Sequence, residues 1–253
     1  MRAWLLLLAL AGCDRVFGLG DPYEDAAVSA GSDAAPVDVP LPHDDVLPPV
    51  DASLAVPIAH FSFDTSFNDD SNTYAGATVG TGVTRTPGHS GNALTLGGAG
   101  CLKMSVETPN AFTIAFWAQP NDTAGGVLVS RDVMSGTTGA KQAYQVYDTV
   151  GGGFGFSLWD GSNENDHIAT GEFVPATFRH YAVTFDGGTK RWFVDGLEVT
   201  PPQSVGPIVY GPDGFVFIGC QEGPQSFFNG MIDELYLYGE ALDPTQISTL
   251  AQQ

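Results

Sequence analysis

Short runs of alternating apolar and polar residues recur from residue 58 onward, and turn-forming residues bound each run. A period of two places one face of a β-strand in a core and the other in solvent. Asp186-Gly187-Gly188 and Asp195-Gly196 are typical of hairpin turns between such strands. The pattern therefore predicts an all-β fold with two antiparallel sheets packed as a sandwich. The predicted strands are 58–63, 92–97, 101–106, 112–119, 126–131, 143–148, 153–159, 167–173, 179–185, 190–196, 215–219 and 228–238.

The pattern changes to a helical period only near the end of this region. Asp243 is placed to accept hydrogen bonds from the first-turn N–H groups, Pro244 suits the first helical position, and Gln246 completes a capping box. Ile247 and Leu250 fall on one face of the predicted helix. We expect one short C-terminal helix that docks on a sheet.

The start of the chain carries a different apolar run. Arg2 precedes the uncharged stretch 3–11, which is too short to anchor stably across a bilayer. The run ends in Leu-Ala-Gly-Cys, which resembles a bacterial lipobox. The resemblance implies that 1–12 is a lipoprotein signal peptide and that Cys13 is acylated, with palmitate or a similar chain, after cleavage. The alternative is an ordinary signal peptide followed by an accidental cysteine.

The segment 13–57 is rich in Asp, Pro and Ala and has almost no apolar periodicity. Such a composition cannot bury enough surface to offset the entropy of ordering the chain. Prolines and like charges favour extended conformations. We therefore expect a disordered acidic stalk that separates the domain from the bilayer, or a linker whose only role is solubility. The expected location is the cell envelope, at the outer membrane or cell surface.

Export would also affect the two remaining cysteines, Cys101 and Cys220. An even pair in an oxidising compartment is a candidate for a disulfide. The alternative is two separate buried thiols that act as small apolar side chains.

The charge balance excludes some classes of partner. The formal net charge is −20, with only 9 Lys and Arg. This charge disfavours binding to nucleic acids or anionic lipids. It is compatible with cations, with neutral partners, or with solubility alone.

Several stretches together resemble a known family. They are "HFSFD", "GHSGNALTLGG", "FTIAFWAQP", "FRHYAVTFDGGTKRWFVDGLEV", "FVFIG" and "FNGMIDELYLYGEALDPTQISTL". In this order they are similar to a laminin G-like domain of the concanavalin A-like lectin/glucanase superfamily. The resemblance covers 58–253 and implies one jelly-roll domain.

The same resemblance raises the question of catalysis. Superfamily members that cleave polysaccharides use a Glu-x-Asp-x-x-Glu strand or a close variant, which aligns two carboxylates about 5 Å apart. No such triplet is present, and strict alternation would place Asp233 and Glu234 on opposite faces. The sequence therefore predicts a protein that is not an enzyme. The histidines of this region are scattered, and each is expected to be structural or solvated: His60, His89, His167 and His180.

Alternation also predicts that Asp233 shares the core-facing side with Met231, Leu235 and Leu237, whereas Glu234 lies at the sheet surface. A carboxylate on a core face is costly unless it is paired, hydrogen-bonded or bound to a metal. Three solutions are open for Asp233. It can accept backbone N–H groups, pair with a cation such as Arg179, or bind a hard ion.

The third solution leads to a candidate calcium site. An oxygen-rich turn follows the first predicted strand, and laminin G-like domains often bind Ca²⁺, so the resemblance favours such a site. Ca²⁺ prefers carboxylate, amide and carbonyl oxygens. Plain hydrogen bonding is the alternative. The candidate ligands are Asp64, Asn68, Asp69, Asp70 and Asp233.

A candidate ligand-binding loop lies at 157–167, where Trp159 stands beside Asp160, Asn163 and Asn165. An aromatic ring next to amides and carboxylates suits sugar stacking with hydrogen bonds. The alternative is that Trp159 belongs to the core and the rest is a solvated turn. The loop 131–142 is a second candidate rim.

Taken together, these features predict a lipid-anchored envelope protein that binds a carbohydrate or a protein without catalysis. The alternatives are a glycan hydrolase or lyase, and a structural spacer without a specific ligand. Fold alone does not distinguish them, because this superfamily hosts all three.

Overall fold

The computed structural model describes residues 53–107, 109–132, 142–211, 214–221 and 225–253. Within these residues the chain forms two antiparallel sheets and one short helix, which confirms the predicted fold class. No helix in this part of the chain is long and apolar enough to cross a membrane. The elements are β1 Ala59–Phe61, β2 Ala77–Gly80, β3 Val83–Pro87, β4 Asn92–Gly97, β5 Gly100–Met104, β6 Phe112–Pro120, β7 Gly126–Asp132, β8 Gln142–Asp148, β9 Phe154–Trp159, β10 Glu164–Asn165, β11 Ile168–Ala169, β12 Arg179–Phe185, β13 Thr189–Val194, β14 Leu197–Glu198, β15 Gln203–Ser204, β16 Val216–Ile218, β17 Asn229–Tyr238 and α1 Pro244–Leu250.

The strands are divided between a nine-stranded and an eight-stranded sheet. The order in the nine-stranded sheet is β14-β13-β12-β6-β17-β4-β3, with β1 paired to β17 and β15 paired to β13. The eight-stranded sheet has the order β10-β9-β8-β7-β16-β5-β2, with β11 paired to β9. The first strand therefore lies beside the last, as in a jelly roll.

The core lies between the sheets and is built from alternate residues of each strand. Tyr181, Val183 and Phe185 of β12 belong to the same buried cluster as residues of β9, and the rings of Phe154 and Tyr181 meet edge to face at 5.2 Å. Aromatic pairs in this arrangement add to the free energy gained by burying their surface.

The helix packs on the outer face of the nine-stranded sheet. Ile247 and Leu250 join a second buried cluster with residues of β6, β12, β13 and β17, and the predicted capping box at Asp243 is present. Leu54 and Ala55 also pack against this cluster. Residues before 58 therefore already pack on the sandwich, on the sheet face that α1 covers. The predicted signal peptide, Cys13 and the stalk up to residue 52 lie outside the described residues.

Cys101 and Cys220 form a disulfide, which confirms the predicted pair. The bond joins the first residues of β5 to the residues just after β16, in the same sheet. Both cysteines are fully buried in a small apolar cluster with Phe217.

Strand β17 contains a β-bulge that changes the predicted faces. Asp233 pairs with Trp117, but Tyr236 pairs with Ala115, so β17 has one extra residue here, and Glu234 has a φ of 47°. A bulge reverses the alternation of side chains along a strand. Leu235 therefore points into the core, whereas Asp233 does not. The predictions that Asp233 shares a face with Leu235, and that Asp233 and Glu234 lie on opposite faces, are wrong.

Candidate ligand-binding site

The outer face of the eight-stranded sheet carries a row of aromatic and polar side chains. Gly155, Ser157 and Trp159 alternate with core residues along β9, so they point outward. Tyr147 pairs with Gly155 and Gln145 pairs with Ser157 on the neighbouring strand β8. We call Gln145, Tyr147, Ser157 and Trp159 the outer row.

The ring of Tyr147 lies directly against Gly155. A Cβ atom at that glycine would overlap the ring, so the close approach requires glycine. The Tyr147 hydroxyl donates a hydrogen bond to the carboxylate of Asp166. Burial and this hydrogen bond raise the pKa of Tyr147, so the ring stays neutral. The outer row therefore presents a fixed, flat aromatic surface of the kind that packs against a sugar ring.

The predicted ligand loop adjoins the outer row. Asp160 accepts hydrogen bonds from the N–H groups of Ser162 (2.8 Å) and Asn163 (2.6 Å) and from Asn165 Nδ2 (3.1 Å). These bonds lower the pKa of Asp160 to about 2.

The structure thus brings Trp159, Asp160, Asn163 and Asn165 together, but the carboxylate of Asp160 and the amide of Asn165 shape the turn. Trp159 is half-buried and lies outside the core clusters, opposite Glu164 of β10. The second candidate loop is 131–142, and its residues 133–141 lie outside the described residues.

A cleft opens at the other end of the outer row, and no sequence pattern indicates it. We call it the Asp148 cleft. Its volume is about 320 Å³, and its lining includes Gly125, Gln145, Tyr147, Asp148 and Ser226.

Asp148 is the unusual member of this lining. It is only 5% exposed, and its Oδ1 atom has no hydrogen-bond partner. Burial, with a further contribution from the charge of Asp122, raises the pKa of Asp148 to about 7. From sequence it looks like an ordinary polar residue at the end of a strand.

This pKa predicts how stability depends on pH. The folded protein holds the Asp148 proton more tightly than the unfolded chain, so the free energy of unfolding falls as pH rises from about 4 to about 7. Asp148→Asn removes this loss. Between about pH 5 and about pH 8, we expect the fall in unfolding free energy to be about 2 kcal/mol smaller in the variant.

Urea titrations at the two pH values measure this difference. Asp160→Asn is the matched control, because the pKa of Asp160 is lowered rather than raised and its titration lies below the tested range. An equal fall in wild type and in Asp148→Asn would contradict the assignment.

The five predicted calcium ligands are divided among separate hydrogen-bonded groups. Asp64 accepts from Asn92 N (2.7 Å), and Asp233 accepts from the N–H groups of Ser90 and Glu234 (both 3.0 Å). Asp233 therefore accepts backbone N–H groups, which is the first of the three arrangements that the sequence left open. Arg179 pairs instead with Asp195 and Glu172, so its proposed pairing with Asp233 is wrong.

The other three predicted ligands are engaged elsewhere. Asp69 accepts from Tyr74 N (2.6 Å) and Ser71 N (3.1 Å), Asp70 pairs with His60 at 2.9 Å, and Asn68 bonds Asn72. Burial by itself would raise the pKa of Asp69. The hydrogen bonds from Ser71 and from the backbone outweigh this effect and hold the pKa below its usual value. As arranged here, the five residues do not form one coordination shell. No group of three or more His, Cys, Asp or Glu side chains in the described ranges could hold a metal ion, and Ca²⁺ stays a prediction.

The histidines on the nine-stranded sheet have structural surroundings. His89 stacks on Trp117 with ring centroids 3.6 Å apart, and His60 stacks on Tyr236 while contacting Glu234 at 2.6 Å. Burial lowers the pKa of His180 to about 4, which keeps its ring neutral.

Comparison with known proteins agrees with this architecture. The sequence profile of the Laminin_G_3 family, described as concanavalin A-like lectin/glucanases superfamily, matches residues 90–248, which is more than half of the chain. The chain belongs to this superfamily. No curated protein matches the sequence of this chain.

Solved structures of similar fold include binding domains. Domain 4 of AbnA, a GH43 extracellular arabinanase from Geobacillus stearothermophilus, in complex with arabinotriose, has a TM-score of 0.65 at 19% identity, covering 79% of this chain and 100% of that domain. The botulinum neurotoxin type G receptor binding domain has a TM-score of 0.59 at 13% identity, covering 78% of this chain and 51% of the other. The binding domain of Paraclostridial Mosquitocidal Protein 1 has a TM-score of 0.53 at 15% identity, with coverages of 74% and 49%. At these identities the likeness shows the fold alone.

Proposed function

We propose that this protein is a lipid-anchored binding module of the bacterial cell envelope that recognises carbohydrate through the outer row, without catalysis. The observation that carries the proposal is the ring of Tyr147, fixed against Gly155 and beside the amide of Gln145. Trp159 adds a second aromatic side chain to the same row. Sugar sites combine such flat apolar surfaces with a few polar groups that fix orientation.

The similar structures support a binding role. One is a domain in complex with arabinotriose, and others are toxin domains named for receptor binding. Carbohydrate is therefore the first candidate ligand, and an envelope or extracellular protein is the second.

The position of the packed chain start also supports the proposal. Leu54 and Ala55 lie against α1, on the outer face of the nine-stranded sheet. The outer row belongs to the other sheet and points away from that face. The outer row therefore lies on the sheet opposite to the one that Leu54 and Ala55 contact.

The proposal predicts a loss of glycan binding when the fixed ring is removed. Tyr147→Ala should weaken binding to any oligosaccharide found on a glycan array that includes arabinotriose by about tenfold or more, which is about 1.4 kcal/mol. The Kd is measured by titration calorimetry, with and without a chelator to test for a calcium requirement.

Trp117→Ala is the matched control, because Trp117 is a half-buried aromatic residue on the outer face of the other sheet. It should leave the Kd unchanged. An equal loss in both variants would argue against the outer row as the site.

One observation favours a second candidate function, glycan hydrolysis. Burial raises the pKa of Asp148 to about 7, and the charge of Asp122 contributes to the shift. A carboxyl group with a raised pKa can act as a general acid in glycoside hydrolysis. Release of reducing ends from polysaccharide, abolished by Asp148→Asn, would establish this alternative. If the protein binds neither a glycan nor an envelope protein, the remaining function is that of a structural spacer without a specific ligand.

A further inference from the structure

We propose that a cleft at one end of the sandwich binds the carboxylate of an acidic sugar, at a site separate from the outer row. We call it the end cleft. Its volume is about 610 Å³, which lies within the range of small-molecule sites. The inference goes beyond the proposed function, because no residue of the outer row lines this cleft. The described residues that line it include Thr73, Tyr74, Ser105, Glu107, Arg131 and Phe215.

The first argument is the direction of the Arg131 side chain, which points to the inner side of its sheet. On the neighbouring strands Arg131 pairs with Tyr144 and Val216, and both belong to the core. Besides the end cleft, Arg131 lines a second cleft of about 420 Å³, together with Ile58 and Gly239 beside β1 and β17 of the other sheet. Its guanidinium therefore lies at the end of the sandwich, where both clefts open.

The second argument is that the guanidinium has unused hydrogen-bond donors. Within the described residues it makes one hydrogen bond, from Nη1 to Val106 O at 3.0 Å, and its Cζ lies 5.0 Å from the ring centroid of Tyr210. Nε is buried without a partner, so a ligand would meet the two terminal amino groups instead. Nη2 and the second N–H of Nη1 are unbonded in this part of the chain. A carboxylate can accept two N–H bonds from such a guanidinium edge.

The third argument is charge. Most other cations in the described ranges are satisfied, two by carboxylates and two by pairs of backbone carbonyl groups: Arg179, Arg191, Arg85 and Lys190. Arg131 and Lys103 form no ion pair with the described carboxylates, although the chain contains 29 Asp and Glu. Lys103 Nζ lies 3.7 Å from the ring centroid of Phe215, which lines the end cleft. Two cations without anionic partners therefore border one cleft, and an anionic group is complementary to both.

The remaining lining favours a sugar that carries one carboxylate. The hydroxyl groups of Thr73 and Ser105 can donate and accept hydrogen bonds, whereas the exposed carboxylate of Glu107 can only accept them. Sugar hydroxyl groups supply donors for Glu107, and the rings of Tyr74 and Phe215 offer flat apolar surface. A bare acid such as acetate lacks these groups. A polyanion is disfavoured by Glu107 and by the net charge of −20.

The test compares three disaccharides with the full-length protein by titration calorimetry at neutral pH: cellobiouronic acid (glucuronic acid linked to glucose), its methyl ester, and cellobiose. The acid should bind at least about tenfold more tightly than the other two, which corresponds to about 1.4 kcal/mol. The ester keeps the shape of the acid and removes its charge. Arg131→Gln should abolish the preference. Arg191→Gln is the matched control and should retain it, because Arg191 pairs with Glu198 on the other sheet.

A second variant guards against a loss that is merely structural. Arg131→Gln also removes the bond to Val106 O, so urea unfolding of each variant checks that the fold is retained. Lys103→Gln removes the other cation without touching that bond. It should weaken binding of the acid by about threefold and leave cellobiose unchanged. If Arg131→Gln does not fold, unchanged binding of the acid in Lys103→Gln contradicts the inference.

The other outcomes also decide. Equal binding of the acid and its ester, or a preference that survives in Arg131→Gln, would overturn the inference, as would no binding of any of the three disaccharides. Acetate that displaces the acid at equal concentration would show a site for a bare carboxylate and contradict the sugar. Tyr147→Ala should keep the preference for the acid, and its loss there would assign the acid to the outer row. Failure of this inference leaves the proposed function standing, because that function is tested by the outer row's own variants.

Discussion

Replacing both Cys101 and Cys220 by alanine should lower the free energy of unfolding by about 4–5 kcal/mol. The two cysteines are 119 residues apart in sequence, so the bond closes a long loop. A cross-link over such a distance strongly restricts the unfolded chain, and the stabilisation grows with the length of the loop. In the folded state the bond joins strands of one sheet and is covered by Phe217.

Urea unfolding of the wild type and the double variant measures this effect, and wild type with its disulfide reduced should resemble the variant. Ser130→Ala is the control. Its hydroxyl donates to Cys220 O at 2.9 Å, so the variant changes the same neighbourhood but keeps the disulfide. It should cost about 1 kcal/mol. A loss below about 1 kcal/mol in the double variant would show that the cross-link does not stabilise this sandwich.

Asp233→Ala should lower the free energy of unfolding by about 3 kcal/mol. Asp233 is fully buried, and its carboxylate accepts the N–H groups of Ser90 and Glu234. Removing it leaves both N–H groups without this acceptor. It also releases the turn that places His89 on Trp117. Burial raises the pKa of Asp233 to about 6, so keeping this carboxylate ionised in the folded protein costs free energy above that pH. The substitution removes this cost. We therefore expect the smallest loss of stability above about pH 6.

Chemical denaturation monitored by tryptophan fluorescence reports both the stability and the stack on Trp117. Asp64→Ala is the matched control. Asp64 holds the same turn through Asn92 N, but it is exposed, so its loss should cost about 1 kcal/mol or less. If Asp233→Ala is no more harmful than Asp64→Ala, the buried carboxylate does not hold this turn.

Much of the fold follows from local patterns. Alternation over 179–185 predicts a half-buried strand, and Tyr181, Val183 and Phe185 do point into the core. Asp243 and Gln246 predict the capping box that begins α1, because both partners lie within one turn of chain. These predictions hold because the interactions that decide them are near in sequence.

The candidate site was only partly predictable. The sequence indicates Trp159, because an aromatic residue stands beside polar residues in a turn. Tyr147 was missed, because its exposure depends on Gly155, which pairs with it from the next strand. Asp148 was missed because neither its burial nor its nearness to Asp122 has a local signal.

The sequence by itself determined the all-β class, the C-terminal helix and the resemblance to laminin G-like domains, and it indicated Cys101 and Cys220 as a candidate pair that the structure shows to be bonded. Those features depend on residue periodicity, on local capping and on the number of cysteines. The tertiary structure alone decided the face of Asp233, through a bulge set by the pairing of β17 with β6, and the surroundings of Asp148. The physical reason is that register and burial arise from contacts between strands far apart in sequence, so a carboxylate's environment is fixed only when the sheets close.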